Sequence, residues 1–424
     1  MRIGIDARFY GAIGKGLGRY TEKLIEHLER IDTGNEYVVF LREENFSAYE
    51  PKNPRFRKAL ADYQWYSFAE QIAFPLFLRR FRLDLMHFPH FNVPILYRGE
   101  FVVTIHDLIL LRYPTVRNTT RLAFLYWMKF AAYRFVIASA IRRAAHIITV
   151  SHFAKQDILA HYPEAAGKVS VTYEAADPFC RMPLAGQEDA VLGRLGLRTG
   201  ERGRDILRPY FLYVGNAYPH KNLGLLIETA ERMPEYRFVL VGKSDHFYMR
   251  LERETSRRHL SNVVFAGFLA DQELSILYRH AAAYVFPSLY EGFGLPPLEA
   301  MTFGLPVVSS DRASLPEVCA DAAEYFDPED AADIERALRR ATREDEAERL
   351  RAKGYARVAG FRWRPGLRYS GSEMRQLSMS RVFMPNCWHK LFKFSINTLS
   401  TLESRILAMN APSILTYSKC SSRK

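Results

Sequence analysis

Short runs of apolar, often β-branched residues recur along the first 175 positions, and apolar residues at helical spacing lie between them. RIGID (2–6), YVVFL (37–41), LDLMHF (83–88), EFVVTIHD (100–107), HIITV (146–150) and KVSVTY (168–173) read as strands. Residues 19–30 place Tyr20, Leu24, Ile25 and Leu28 on one helical face. Runs this continuous suit a parallel sheet covered on both sides, where every side chain meets a helix layer. Residues 173–209 carry no long apolar period and predict a connection. A second series follows: YFLYVG (210–215), RFVLVG (237–242), NVVFAG (262–267), AAYVF (282–286), PVVSS (306–310) and AAEYF (322–326). Two consecutive α/β series predict two Rossmann-like domains facing each other across a cleft. The expected boundaries are 1–175 and 210–362, joined by 176–209, with a tail over 363–424.

A chain of 424 residues is long enough for two substantial cores. Residues 121–150 form the most apolar long stretch, but Lys129, Arg134, Arg142 and Arg143 make it a poor membrane span. A packed helix followed by the strand HIITV fits better. The first residues lack the basic start and apolar core of a signal peptide. Cys180, Cys319, Cys387 and Cys420 form no CxxC or other metal spacing, so a zinc site or disulfide scaffold is not expected, and a reducing cytoplasm is the simplest setting. The net charge of +12 is uneven: residues 362–424 hold eleven Lys and Arg against two acids, Glu373 and Glu403. The body is therefore close to neutral, which argues against nucleic acid as a partner.

The richest chemistry lies in residues 287–310, PSLYEGFGLPPLEAMTFGLPVVSS. The apolar run AAAYVF (281–286) before it predicts a buried strand. Pro296 and Pro297 suit the first turn of a helix, where their missing N–H groups cost little. Gly304 is a natural stop for that helix. Glu291 then falls on a strand-to-helix loop, Glu299 falls within the helix, and both lie at the carboxyl edge of an open α/β sheet, where ligands bind. Gly292 and Gly294 allow bare backbone to approach a ligand, and a helix N-terminus behind them favours an anion. The pattern suits a sugar or ribose held by carboxylates, with phosphate on backbone amides. An ordinary βα loop with surface acids would explain a bare pair of glutamates, but not the whole 24-residue context.

That segment, with FAGFLADQELSILYRHAAAYVFPS before it and SDRASLPEVCADAAEYFDP after it, resembles the Glu-x7-Glu signature of retaining nucleotide-sugar glycosyltransferases, glycosyltransferase family 4. The resemblance covers residues 1 to about 362. It implies the GT-B architecture, two Rossmann-like domains across a cleft. It implies that Glu291 contacts the donor sugar and Glu299 the ribose, with Gly292, Phe293 and Gly294 in the donor loop. The loop GAIGKGLGRY (11–20) misses the dinucleotide GxGxxG spacing. In the resembled family it lies beside the donor phosphate and acceptor, which favours function for Gly16, and less firmly for Lys15 and Arg19. His106, at the end of EFVVTIHD, resembles the family's active-site histidine. Lys221 in YVGNAYPHKN is a sound partner for a leaving diphosphate. Related enzymes commonly carry a second cation there; here His220 and Asn216 stand near it. Gly267, Phe268 and Leu269 sit where relatives cradle the base, and Gly242, Lys243 and Ser244 end the preceding strand.

The resemblance therefore implies hexose transfer from a nucleotide sugar with retention. GxGRY, TIHDL, PHKN and EGFGLP resemble bacterial mannosyltransferases of polysaccharide assembly, which makes GDP-mannose the first choice of donor. No metal or other cofactor is expected, since lysine and helix N-termini can supply the needed charge. The expected acceptor is a glycan or a lipid-linked sugar. A lipid carrier would bring the chain to the inner membrane face, matching the basic clusters LRRFR (78–82) and IRR (141–143), which otherwise read as solvated helix faces. Two other classes fit the same cleft: a GT-B phosphorylase or epimerase, and a non-catalytic nucleotide-sugar-binding protein. The second gains ground if the tail after Trp363, rich in Ser and Arg, has replaced the family's last helix. Within that tail, apolar residues from 391 to 409 recur at helical spacing beside Lys390, Lys393 and Arg405.

Overall fold

The structure, a computed structural model, describes residues 1–11, 15–114, 123–176, 187–201 and 204–361. The expectations for the tail 363–424, for residues 12–14 of the glycine-rich loop and for Cys180, Cys387 and Cys420 lie outside the described residues. The strands of the first series are β1 (Arg2–Asp6), β2 (Glu36–Leu41), β3 (Phe56–Leu60), β4 (Leu85–Phe88), β5 (Phe101–Ile105), β6 (His146–Thr149) and β7 (Val169–Val171). They form one parallel sheet in the order β3-β2-β1-β4-β5-β6-β7. After a short antiparallel pair, β8 (Arg198–Glu201) and β9 (Arg204–Leu207), the second series begins with β10 (Tyr210–Val214), β11 (Arg237–Val241) and β12 (Val263–Gly267). It continues with β13 (Ala283–Phe286), β14 (Val307–Ser310) and β15 (Ala323–Phe326). These make a second parallel sheet, ordered β12-β11-β10-β13-β14-β15.

The continuous apolar runs are explained by cover on both sides. One face of the first sheet packs Val38, Phe40, Met86 and Phe88 against Phe74, Leu78, Ile137 and Ile141, which come from the helices Phe68–Leu78 and Ala123–Arg143. Its other face packs Ile3, Ile5, Tyr37 and Val39 under Tyr20, Leu24, Ile25 and Leu28 of the helix Lys15–Ile31. The second sheet has its own core, including Phe211, Leu212, Val239, Tyr284 and Val308. Two such sheets, each flanked by helices, are the GT-B architecture.

Four elements were not expected: β3, β8, β9 and one helix. β3 reads FRKAL and is an edge strand, paired only to β2, so its Arg57 can face solvent while Lys58 turns to the carbonyls of Phe46 and Tyr49, and no apolar run marks it. The stretch expected as a connection contains the helix Gln187–Arg194 as well as the β8–β9 pair.

In each sheet the chain order reverses once, beside β1 in the first and beside β10 in the second. Loops leaving adjacent strands at such a point diverge to opposite faces and open a crevice. β10 pairs with β13, placing Phe211 beside Ala283. The loops that follow them carry Lys221 and Glu291, so distant stretches of sequence meet at one crevice.

Candidate active site

Pro296 and Pro297 start the helix Leu295–Thr302, with Gly294 at its N-cap in a left-handed conformation, φ 104°. In the loop before it, Glu291 is buried and its Oε1 accepts from Lys221 Nζ at 2.5 Å. Lys221 ends a single 3-10 turn, Pro219–Lys221, after β10, and its ammonium also lies 5.3 Å from the centre of the Phe286 ring. Ser314 braces the loop from behind: its hydroxyl lies 3.0 Å from the Glu291 carbonyl and 2.7 Å from that of Phe293. The Phe293 ring is committed to the core against Tyr173 and Phe361, which leaves its backbone as the part available to a ligand.

Glu299 is also buried, one turn into the helix. Burial raises its carboxyl above the ordinary range, with Arg19 pulling against that rise. Arg19 comes from the other half of the molecule and donates from Nη1 to Glu299 Oε1 at 2.7 Å; its Nη2 lies 3.7 Å from Asp271. Arg19, expected on a glycine-rich loop, lies instead in the helix Lys15–Ile31 and reaches the second carboxylate from there. Gly16 is exposed with open space about it. Gly18 instead makes the close approach: a Cβ there would lie 2.0 Å from the Gly11 carbonyl oxygen.

His106 follows β5. Its Nδ1 lies 3.1 Å from Glu174 Oε1 and its Nε2 3.0 Å from the Pro89 carbonyl. Both neighbours are acceptors, so both contacts attract only when each ring nitrogen carries a proton. Burial alone would push the His106 pKa down, yet the Glu174 carboxylate and the Pro89 carbonyl hold it above the ordinary histidine value. Both contacts therefore favour the protonated ring, and Tyr20 stands edge-on to it at 4.7 Å.

The two halves touch at the loop that carries Glu291 and Gly292. A Cβ on Gly292 would fall 2.1 Å from the His106 carbonyl oxygen, so only glycine permits this approach. Ser151 caps the helix His152–His161 by accepting from Ala154 N, and donates its own proton to the Gly292 carbonyl at 2.6 Å. Glu317 accepts from the first two amides of that helix, at 2.7 and 2.9 Å. Tyr290 OH donates to Asp157 Oδ2 at 2.5 Å, and Arg112 reaches the same carboxylate.

His220, beside Lys221, is buried with Nδ1 unpartnered. Burial, with the Lys221 charge, pushes it down to about 4, so it supplies no second cation near neutral pH. Asn216 spends its side chain on its own loop, accepting from Tyr218 N at 3.3 Å. Gly267 ends β12 with φ 70°, and Phe268 after it is 79% exposed at the carboxyl edge. Among the described residues no group of three or more His, Cys, Asp or Glu is placed to hold a metal ion.

The structure thus joins Lys221 to Glu291, sets His106 against Gly292 and brings Arg19 to Glu299. Glu174, Ser151, Ser314 and Tyr290 had no signal in the sequence, because each acts through a partner in a distant stretch.

Two family models match stretches of this chain. Glycosyltransferase Family 4 matches residues 14–178 and Glycosyl transferases group 1 matches residues 202–358. The chain has the GT-B fold and is related to bacterial glycosyltransferases. It is 27% identical over 277 residues to the O-antigen chain mannosyltransferase RfbU of Salmonella typhimurium, covering 65% of this chain and 69% of that protein. With O-antigen chain mannosyltransferase B of Escherichia coli it shares 29% identity over 297 residues, 68% of this chain and 72% of the other. In fold, this GT-B chain resembles a sucrose-phosphate synthase from Thermosynechococcus elongatus, with a TM-score of 0.66 and 21% identity over 93% of this chain and 99% of that one.

Proposed function

We propose that the chain is a retaining hexosyltransferase that uses a nucleotide sugar, first choice GDP-mannose, to extend a glycan or lipid-linked acceptor in cell-surface polysaccharide synthesis. The observation that carries the reading is the meeting of Lys221 with Glu291 in the loop that leads to the helix bearing Glu299, with the His106 backbone of the other half pressed against Gly292. Two relatives that bear the name of O-antigen mannosyltransferases support the choice of sugar. Residues 210–362 form the donor side and residues 1–175 the acceptor side.

In this reading Glu291 accepts from hydroxyls of the transferred sugar and Glu299 from the ribose. Lys221, released from Glu291, neutralises the diphosphate as it leaves, with amides of the Gly292–Gly294 turn beside it. The bond between the sugar's anomeric carbon and the phosphate oxygen breaks, and a bond to the acceptor oxygen forms on the same face. The acceptor's proton passes to the departing phosphate oxygen. When protonated, His106 adds positive charge at the edge of the first domain. It cannot act as a base while both its nitrogens hold protons.

Calorimetric titration with GDP, UDP and ADP, followed by turnover with the matching sugars, tests the reading. GDP should bind most tightly. Glu299→Ala should weaken that binding about ten- to a hundredfold, the loss of charge-assisted hydrogen bonds. Lys221→Ala should lower turnover about a hundredfold. Absence of binding to every nucleotide, or wild-type behaviour of both variants, refutes it.

A further inference from the structure

Two helices on one face of the first sheet expose apolar stripes instead of polar ones. In the helix Phe68–Leu78, Phe68, Ile72 and Leu76 recur every fourth residue and are 88%, 52% and 54% exposed. In the helix Ala123–Arg143, Met128 and Phe135 are 51% and 61% exposed. Both helices pack their opposite faces on the same layer of the sheet, through Phe74 and Leu78 of one and Ile137 and Ile141 of the other. A loop lies between them. Gln71 of the first helix accepts from Ile95 N at 2.8 Å, and Arg143 of the second donates to the carbonyls of Tyr97 and Pro94 at 2.6 and 3.2 Å. Leu96, at the crest of this loop, is 46% exposed, and Arg98 is exposed beside it. The stripes and the loop make one surface.

The polar residues on this surface are nearly all cationic. Arg79, Arg80 and Arg82 follow the first helix, and Lys129, Arg134 and Arg142 project from the second; all six are exposed. The helix Ala123–Arg143 contains no acid. Glu70, the acid of the first helix, is fully buried and bound to Arg8 and Asn92. Glu100 and Glu164 lie at the margin, and Glu164 pairs with Arg142.

We propose that this face, built from the helices Phe68–Leu78 and Ala123–Arg143 and the loop around Leu96, docks on an anionic lipid bilayer. Apolar side chains flanked by Arg and Lys, with the one acid of the two helices, Glu70, turned inward, match the interfacial region of such a bilayer, where burial and headgroup attraction add. A second copy of the chain fits less well, because a twofold contact sets the same arginines against one another. The inference deepens the proposed reading by placing the chain where a lipid-linked acceptor lies. Vesicle binding needs neither donor nor acceptor, so it fails or holds apart from transfer activity.

The test is co-sedimentation of the full chain with vesicles of phosphatidylglycerol and phosphatidylcholine, against phosphatidylcholine alone. Wild-type chain should bind the anionic vesicles and release with added salt. Arg79→Gln/Arg80→Gln should weaken binding by about tenfold or more, since each cation near an anionic surface contributes roughly fivefold. Ile72→Ser/Leu76→Ser should weaken it on both vesicle types, and circular dichroism on both variants checks that these exposed sites leave the fold intact. The proposal is overturned if anionic vesicles do not bind, or if both variants bind as wild type does, which would assign the attraction to another part of the chain. It is also overturned if ultracentrifugation finds a dimer that the same variants dissolve.

Discussion

Replacing Gly292 by alanine sets a methyl group against the opposite half of the cleft. The new carbon would lie 2.1 Å from the His106 carbonyl oxygen and 3.0 Å from Asp107 Cβ. An ordinary carbon–oxygen contact needs roughly 3.3 Å, so the closed arrangement falls short by about 1 Å. The nearest atom is backbone, so no rotamer change relieves the clash. Overpacking of this kind costs about 1–3 kcal/mol. Here the halves can part instead of distorting a core, so the cost falls on the closed state and lowers its population by roughly ten- to a hundredfold relative to open. Opening also stretches the 2.6 Å bond from Ser151 to the Gly292 carbonyl. Turnover with the donor identified by titration should therefore fall by about the same factor. Melting temperature should change little, because both sheet cores are untouched. Ser151→Ala, which removes one hydrogen bond worth about 1 kcal/mol, is the milder control. Rates paired with small-angle scattering decide the matter. An alanine variant with wild-type turnover and an unchanged scattering profile refutes the claim that the contact between Gly292 and His106 governs closure.

Two further outcomes follow from buried charge. Folding holds the His106 pKa above its ordinary value, so the associated stability is complete below the ordinary histidine range and is lost as pH rises through the raised value. Glu174→Gln removes the carboxylate and should bring that loss to lower pH, visible in melting curves across pH and in the imidazole nitrogen resonances; unchanged resonances would exclude the assigned partner. Arg8 is fully buried, joined to Asp6 at 2.7 Å through two bonds and to Glu70 at 2.7 Å. Arg8→Met strands both carboxylates and should destabilise the chain by about 3–5 kcal/mol in chemical denaturation, whereas a loss below 1 kcal/mol would show that the cluster adds little.

Much of the architecture was legible in the chain. Buried parallel strands such as Tyr210–Val214 and Val307–Ser310 require continuous apolar runs, because helices cover both faces. Pro296, Pro297 and Gly304 punctuate a helix through their own backbone chemistry, and they placed Glu291 on a loop and Glu299 on a helix. β3 escaped notice because an edge strand can carry Arg57 outward and Lys58 onto loop carbonyls, and shows no such run.

Local periodicity and turn chemistry depend on neighbours in the chain, so a sequence states them directly. Partnership does not. Lys221 and Glu291 meet because β10 and β13 pair beside the point where chain order reverses. Arg19 reaches Glu299, and Gly292 presses on His106, only because two separately folded sheets close on each other. The sequence alone determined two α/β halves and which side chains could carry charge at their edges. The tertiary structure decided which charges are joined: Lys221 with Glu291, Arg19 with Glu299, and His106 with Glu174. Contacts between residues 68 to 280 positions apart are set by strand order and domain packing, which no short window of sequence contains.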